Sequence, residues 1–142
     1  MVDSSIVLRK LETLETYHSQ ISQFAGLTAE EYNGDWKVQR IIERTLQIMV
    51  EICVDIASHI ISDRGFRTPT TYADTFLVLN ENSIINDTLF STMEKMSKFR
   101  NIVVHQYETI DTDIVISILR KNLADFTRYH EAILSLLRNE KK

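Results

Sequence analysis

The chain is poor in the residues that interrupt or staple a fold: one Cys, one Pro and three Gly in 142 residues. With a single cysteine, an intramolecular disulfide and a cysteine-rich metal site are both excluded. Flanked by Ile52 and Ile56, Cys53 is expected to fill core space and not to act as a nucleophile. No apolar run reaches the roughly 18 residues of a membrane span, because Glu51, Asp55 and His59 interrupt the most apolar stretch. Residues 1–5 carry neither the basic nor the apolar region of a signal peptide, so a cytoplasmic protein without membrane contact is expected. Excess positive charge is also missing. The net charge of −4 argues against a surface that grips nucleic acid throughout, but residues 95–100 hold Lys95, Lys98 and Arg100 with no acid among them. There is no H-E-x-x-H, no P-loop and no dinucleotide glycine pattern, which leaves metalloprotease and nucleotide-hydrolase readings without support.

What is present is helical periodicity. Hydrophobic residues at 44% and charged residues at 25% are the balance of a globular chain, and residues 1–142 suit one domain with its own core. Apolar positions recur at three- and four-residue steps over residues 4–24 (Ile6, Val7, Leu11, Leu14, Tyr17, Ile21, Phe24), predicting a first helix. Thr28 and Glu31 offer a capping box for a short turn of helix. Asp35 then caps a long helix over residues 35–63, closed by Gly65, with an apolar stripe from Val38, Ile41 and Ile42 to Ile56 and Ile60. So apolar a helix is expected to be central or shared with a second subunit. Its polar line, Arg44, Gln47, Glu51, Asp55 and Ser58, looks in one direction. Thr70 or Thr71 starts a helix through Tyr72, Phe76 and Leu79, and Asn86 one that runs into Arg100. A last helix opens near Asp111 and continues through Val115, Leu123, His130 and Leu137. Five helices with short connections predict an all-α antiparallel bundle.

On an ideal helix Leu89, Met93, Met96, Arg100 and Val103 stay within about 40° of one line, so Arg100 sits on an apolar stripe. A guanidinium cannot shed its charge and is rarely buried alone, which calls for a carboxylate, a polar cleft or an anionic ligand. Glu51 and Asp55 are the candidate carboxylates, and a pair that serves only to set helix register is the competing reading. His105 follows about 140° further round; either the helix ends between the two, or the site combines two chains. Histidine moves protons near neutral pH and arginine matches phosphate oxygens. Together they suit metal-free phosphodiester cleavage by an internal 2′-hydroxyl. An R-x4-H match alone arises in about one chain in four of this composition, and a Tyr two residues on lowers that to about one in a hundred. His18, His59 and His130 lack such company and are read as ordinary core or surface residues.

The segment Phe99-Arg100-Asn101-Ile102-Val103-Val104-His105-Gln106-Tyr107 resembles the R-x4-H-x-Y signature of the HEPN superfamily, and within it of the HepT-like toxins. The resemblance extends to Val38-Gln39-Arg40-Ile41-Ile42-Glu43-Arg44, to Asp55-Ile56-Ala57-Ser58-His59-Ile60-Ile61 and to Tyr72, and so covers nearly the whole chain. It implies a HEPN-like, homodimeric fold and a metal-independent endoribonuclease without cofactor, the toxin of a type VII-like toxin–antitoxin pair. By this carry-over, Arg100 and His105 from both subunits share a cleft. His105 acts as acid or base, Arg100 stabilises the transition state, and Asn101 positions groups by hydrogen bonding. The partner implied is a minimal nucleotidyltransferase antitoxin that adenylylates Tyr107. RNA is the implied substrate and DNA is not. Two rivals stand beside this reading: a non-catalytic helical subunit that binds a nucleotidyltransferase, and a nucleotide-sensing module in which Arg100 only grips phosphate.

Overall fold

The computed structural model describes residues 4–105 and 110–140, and among these the chain is helical with no strand. The helices are α1 (Ser4–Ile21), α2 (Ala29–Asn33), α3 (Trp36–Arg64), α4 (Tyr72–Glu81), α5 (Asp87–His105), α6 (Thr112–Ser117) and α7 (Leu123–Glu140). The five long ones form the expected bundle. α3 lies at its centre, packed against α1, α4 and α5, while α7 closes the bundle against α1 and α5.

The helix starts follow from local chemistry. In the Thr28 capping box the Glu31 N–H donates to Thr28 Oγ1 at 3.1 Å and the Thr28 N–H to Glu31 Oε1 at 3.1 Å. Asp35, Thr71 and Asn86 each accept a backbone N–H of the first turn that follows, satisfying donors a helix leaves orphaned. α3 ends where Gly65 takes φ +67°. In that left-handed conformation, which costs an L side chain energy, the Phe66 N–H reaches back to the Ile61 carbonyl at 3.0 Å.

α3 also explains the core. Ile42, Leu46, Met49, Val50, Cys53, Ile56, Ala57 and Ile60 have no solvent exposure, and each large aliphatic among them stabilises the fold by about 1.5–3 kcal/mol. Cys53 is the core filler expected; burial pushes its thiol pKa up, away from reactivity. By composition, α3 is nonetheless long and apolar enough to cross a membrane, with an 18-residue stretch of mean hydropathy 1.4 that is half buried in the bundle. A core helix passes that test when its apolar face is its packed face.

Four expectations need correction. α1 stops at Ile21 and tightens into a 3-10 turn, Ser22–Phe24. The last helix runs without a break over residues 112–140, but it is not α-helical throughout: a π-helical turn, Ile118–Asn122, joins α6 to α7. Tyr129, not His130, enters the core there. Both lie near the buried face, and the larger ring goes inward because its hydroxyl is satisfied, donating to the Cys53 carbonyl at 2.8 Å. Finally, Ile41 falls outside the buried stripe of α3: it is 51% exposed, about 100° round the helix from the fully buried Ile42, while Val38 packs against the core.

Candidate active site

Leu89, Met93 and Met96 hold α5 in the core, and the same line of α5 delivers Arg100 to the surface of α3. Its Nε and Nη2 both donate to Glu51 Oε2, at 2.9 and 2.7 Å. Gln47, one turn earlier on α3, donates to the same oxygen at 3.2 Å. The two side chains are 17% and 30% exposed, a half-buried pair in which the charge-assisted bonds are shielded from full screening. The guanidinium carbon lies 4.7 Å from the centroid of the Tyr72 ring, within cation–π range. On the remaining edge, Nη1 makes one long contact, 3.4 Å to Asn101 Oδ1. The arginine is thus held along one edge and covered on one face, with its outer edge the least occupied.

Tyr72 owes its place to a second cluster. It is the first residue of α4, whose N-cap is Thr71. Residues 67–71 are tied down by Arg67, which donates to Asp74 at 2.7 and 3.0 Å and to Glu81 at 2.8 and 3.3 Å. The Thr70 N–H also donates to Asp74 at 3.0 Å. The Arg67 guanidinium holds the Asp74 carboxyl down to about 2, helped by the Thr70 N–H. Nothing in the spacing of apolar residues marks Tyr72 as a site residue. The sequence offered two signals, an aromatic directly after a capping threonine and the place of Tyr72 in the family resemblance, and neither says what the ring meets.

The expected residues separate into groups. Glu51, Arg100 and Asn101 come together as anticipated. Asp55 does not: it is 62% exposed at its side chain and sits 3.6 Å from Lys10 Nζ. One turn moves it about 6 Å along α3 from Glu51, and there α1 supplies the nearer cation. His105 is the last residue of α5 and is exposed. Because α5 runs unbroken through both residues, His105 points about 140° away from Arg100 on ideal geometry, and one chain does not assemble the pair. Lys95 and Lys98 are exposed on the same helix. Tyr107 lies outside the described residues. Of the other histidines, His18 bonds the Leu123 carbonyl at 2.8 Å, a tie between α1 and α7, and His59 is exposed.

Comparison with known proteins places this geometry. The family described as Ribonuclease HepT-like matches residues 14–133. The chain is 30% identical over 92% of its length to the mRNA nuclease HepT of Shewanella oneidensis, covering 97% of that protein. It is 26% identical over 96% of its length to the tRNA nuclease HepT of Aphanizomenon flos-aquae, covering 92% of it. Among solved structures, a tri-AMPylated Shewanella oneidensis HEPN toxin in complex with its MNT antitoxin superposes with a TM-score of 0.85 at 30% identity, over 95% of this chain and 99% of that one. A match spanning most of the chain, in sequence and in fold, settles the family: this chain belongs to the HepT-like ribonucleases.

Proposed function

We propose that this chain is the RNA-cleaving toxin of a toxin–antitoxin pair, and that Arg100 and His105 perform the cleavage in a cleft pooled from two copies of the chain. The observation that carries the reading is the state of Arg100: a half-buried guanidinium gripped along one edge by Glu51, set 4.7 Å over the Tyr72 ring, with Nη1 holding only one long contact along the other edge. That edge suits two non-bridging phosphate oxygens. In the reaction the 2′-hydroxyl attacks phosphorus and the bond from phosphorus to the 5′-oxygen breaks; His105 takes the 2′-hydroxyl proton as base and gives a proton to the departing 5′-oxygen as acid, and Arg100 meets the charge that grows on the equatorial oxygens. Asn101, exposed beside Arg100, orients the phosphate or the arginine by its amide.

The divergence of Arg100 and His105 on one continuous helix supports the homodimer, in which each cleft draws on both chains. The relatives named as an mRNA nuclease and a tRNA nuclease support RNA as substrate. The tri-AMPylated toxin bound to an MNT antitoxin supports a nucleotidyltransferase partner that silences this chain by adenylylating Tyr107, since a bulky anion next to a phosphate site repels RNA. Such chemistry belongs in the cytoplasm, where RNA and the partner are found together.

The test is cleavage of a mixed RNA pool in the presence of chelator. Wild-type protein is expected to cut. His105→Ala is expected to lose about 10²–10⁴ in rate while thermal melts and sedimentation show a folded dimer, because His105 is exposed and its truncation opens no cavity. Full activity in a folded His105→Ala protein would falsify the assignment.

A further inference from the structure

α3 begins with a surface that neither the core nor the Arg100 cleft uses. Trp36, the only tryptophan of the chain, is 65% exposed, and Ile41 is 51% exposed. The Lys37 ammonium lies 5.9 Å from the Trp36 ring centroid. The Arg40 side chain is 65% exposed and touches Glu43 by one Nη1 contact at 3.3 Å. Arg44 is exposed and has no carboxylate partner among the described residues. Three of the nearby acids are engaged, while Glu30 is exposed. Asp35 caps α3 by accepting the Lys37 and Val38 N–H groups, Glu31 is turned to Thr28, and Glu43 also accepts the buried Tyr32 hydroxyl at 3.0 Å.

These cations are aligned with the cleft. On an ideal helix Lys37, Arg40, Arg44 and Glu51 lie within about 60° of one line, so the basic residues follow the face of α3 whose Glu51 grips Arg100. Arg44 stands about 10 Å along the axis from Glu51, and Lys37 about 21 Å. An acidic chain thus carries a run of cations leading from its guanidinium to an exposed indole.

We propose that this face carries the single-stranded RNA beyond the cleaved bond, with backbone phosphates on Arg44, Arg40 and Lys37 and a base stacked on Trp36. The proposal rests on the ribonuclease reading and adds a second contact region several nucleotides from the cut. Cations that track a backbone and an aromatic on which a base can lie are what sequence-tolerant single-strand binding requires. A protein partner is the weaker fit, since Trp36 and Ile41 stand about 140° apart on an ideal helix and so do not join into the apolar centre that a protein interface buries.

Because Trp36 is the only indole, its fluorescence reports this face directly. We expect an RNA of about twelve nucleotides to quench it in the His105→Ala protein, with the effect weakening as salt rises. A trinucleotide, too short to span cleft and indole, should leave it unchanged. In the active protein Trp36→Ala should raise KM for the long RNA about ten-fold, hold kcat within about two-fold, and leave KM for a short RNA unaltered. Arg40→Ala with Arg44→Ala should flatten the salt dependence of binding by about 0.7 in log–log slope for each phosphate that is no longer neutralised. Unquenched fluorescence at saturating long RNA overturns the proposal, as does an unchanged KM. Loss of self-association in Trp36→Ala, seen by sedimentation, also overturns it by assigning the face to a protein contact. Quenching by long RNA in a wild-type protein that cuts nothing would support the track while removing the ribonuclease reading.

Discussion

Arg67 and Arg100 lie at either side of the start of α4, and both bind carboxylates, yet they are in opposite states. Arg67 makes four hydrogen bonds to two carboxylates, Asp74 and Glu81, so its donors are engaged around the whole guanidinium. Arg100 has one carboxylate, and both bonds go to a single oxygen of it. The first cluster carries a surplus negative charge, which repels an anion, and leaves one Nη1 N–H unused; the second is neutral and commits only Nε and one Nη2 N–H to a carboxylate. Saturation, and not burial, separates Arg67 from the arginine we propose as catalytic, since Arg100 is the less exposed of the two at 17% against 44%.

The largest effect that would sharpen this contrast is expected from Arg100→Lys. A lysine keeps the charge but loses the planar fork, and we expect kcat for RNA cleavage to fall about 10²–10³-fold, whereas Arg67→Lys leaves kcat within about two-fold. Equal losses at both positions, measured side by side, would erase the distinction. Glu51→Ala is next. It strips the anchoring edge of Arg100, and we expect a loss of about 1–3 kcal/mol of stability in denaturant unfolding, together with a lower kcat. Tyr72→Leu should be milder, about 0.5–1 kcal/mol, lowering kcat more than it raises KM because the guanidinium is held less firmly; restored activity in Tyr72→Phe would confirm that the ring face, and not the hydroxyl, is used. The smallest effect is acid loosening of the Arg67 cluster. Asp74 titrates at about 2 in the folded chain against an ordinary 3.8, so its contribution is complete above about pH 4 and fades as pH falls toward 2. The protection factor of the Thr70 N–H, its exchange rate relative to the intrinsic rate at the same pH, should fall across that window and stay level above it.

The architecture was legible because it depends on periodicity and on caps, both local. Thr28, Asp35, Thr71, Asn86 and Asp111 all cap the helices assigned to them, and Arg100 meets Glu51 because an arginine on an apolar stripe demands a counter-charge. What stayed hidden depends on packing between distant segments. The choice of Glu51 over Asp55 turns on where α1 brings Lys10. Tyr72 over Arg100 turns on a loop shaped by the Arg67 cluster. The π-helical turn leaves no mark in a pattern whose apolar steps of three and four are tolerated by either kind of helix. The exposure of Trp36 was equally unreadable, because an aromatic at a helix start is as compatible with packing as with solvent.

The pairing of α1 with α7 has a consequence for the order of events during synthesis. α1 is made first and docks on α3, but its other neighbour, reached through the His18 bond to the Leu123 carbonyl, is made last. α5, which carries Arg100, also leans on α7. Until α7 leaves the ribosome, the helix bearing the reactive arginine lacks one wall and the Cys53 carbonyl lacks the Tyr129 hydroxyl. A chain truncated after Asn122 should therefore expose Leu14, which lines one pocket with Phe126 and His130 of α7, bind a hydrophobic dye, and cut no RNA. The nascent polypeptide would be harmless to the transcript it is being read from for as long as α7 has not joined the bundle.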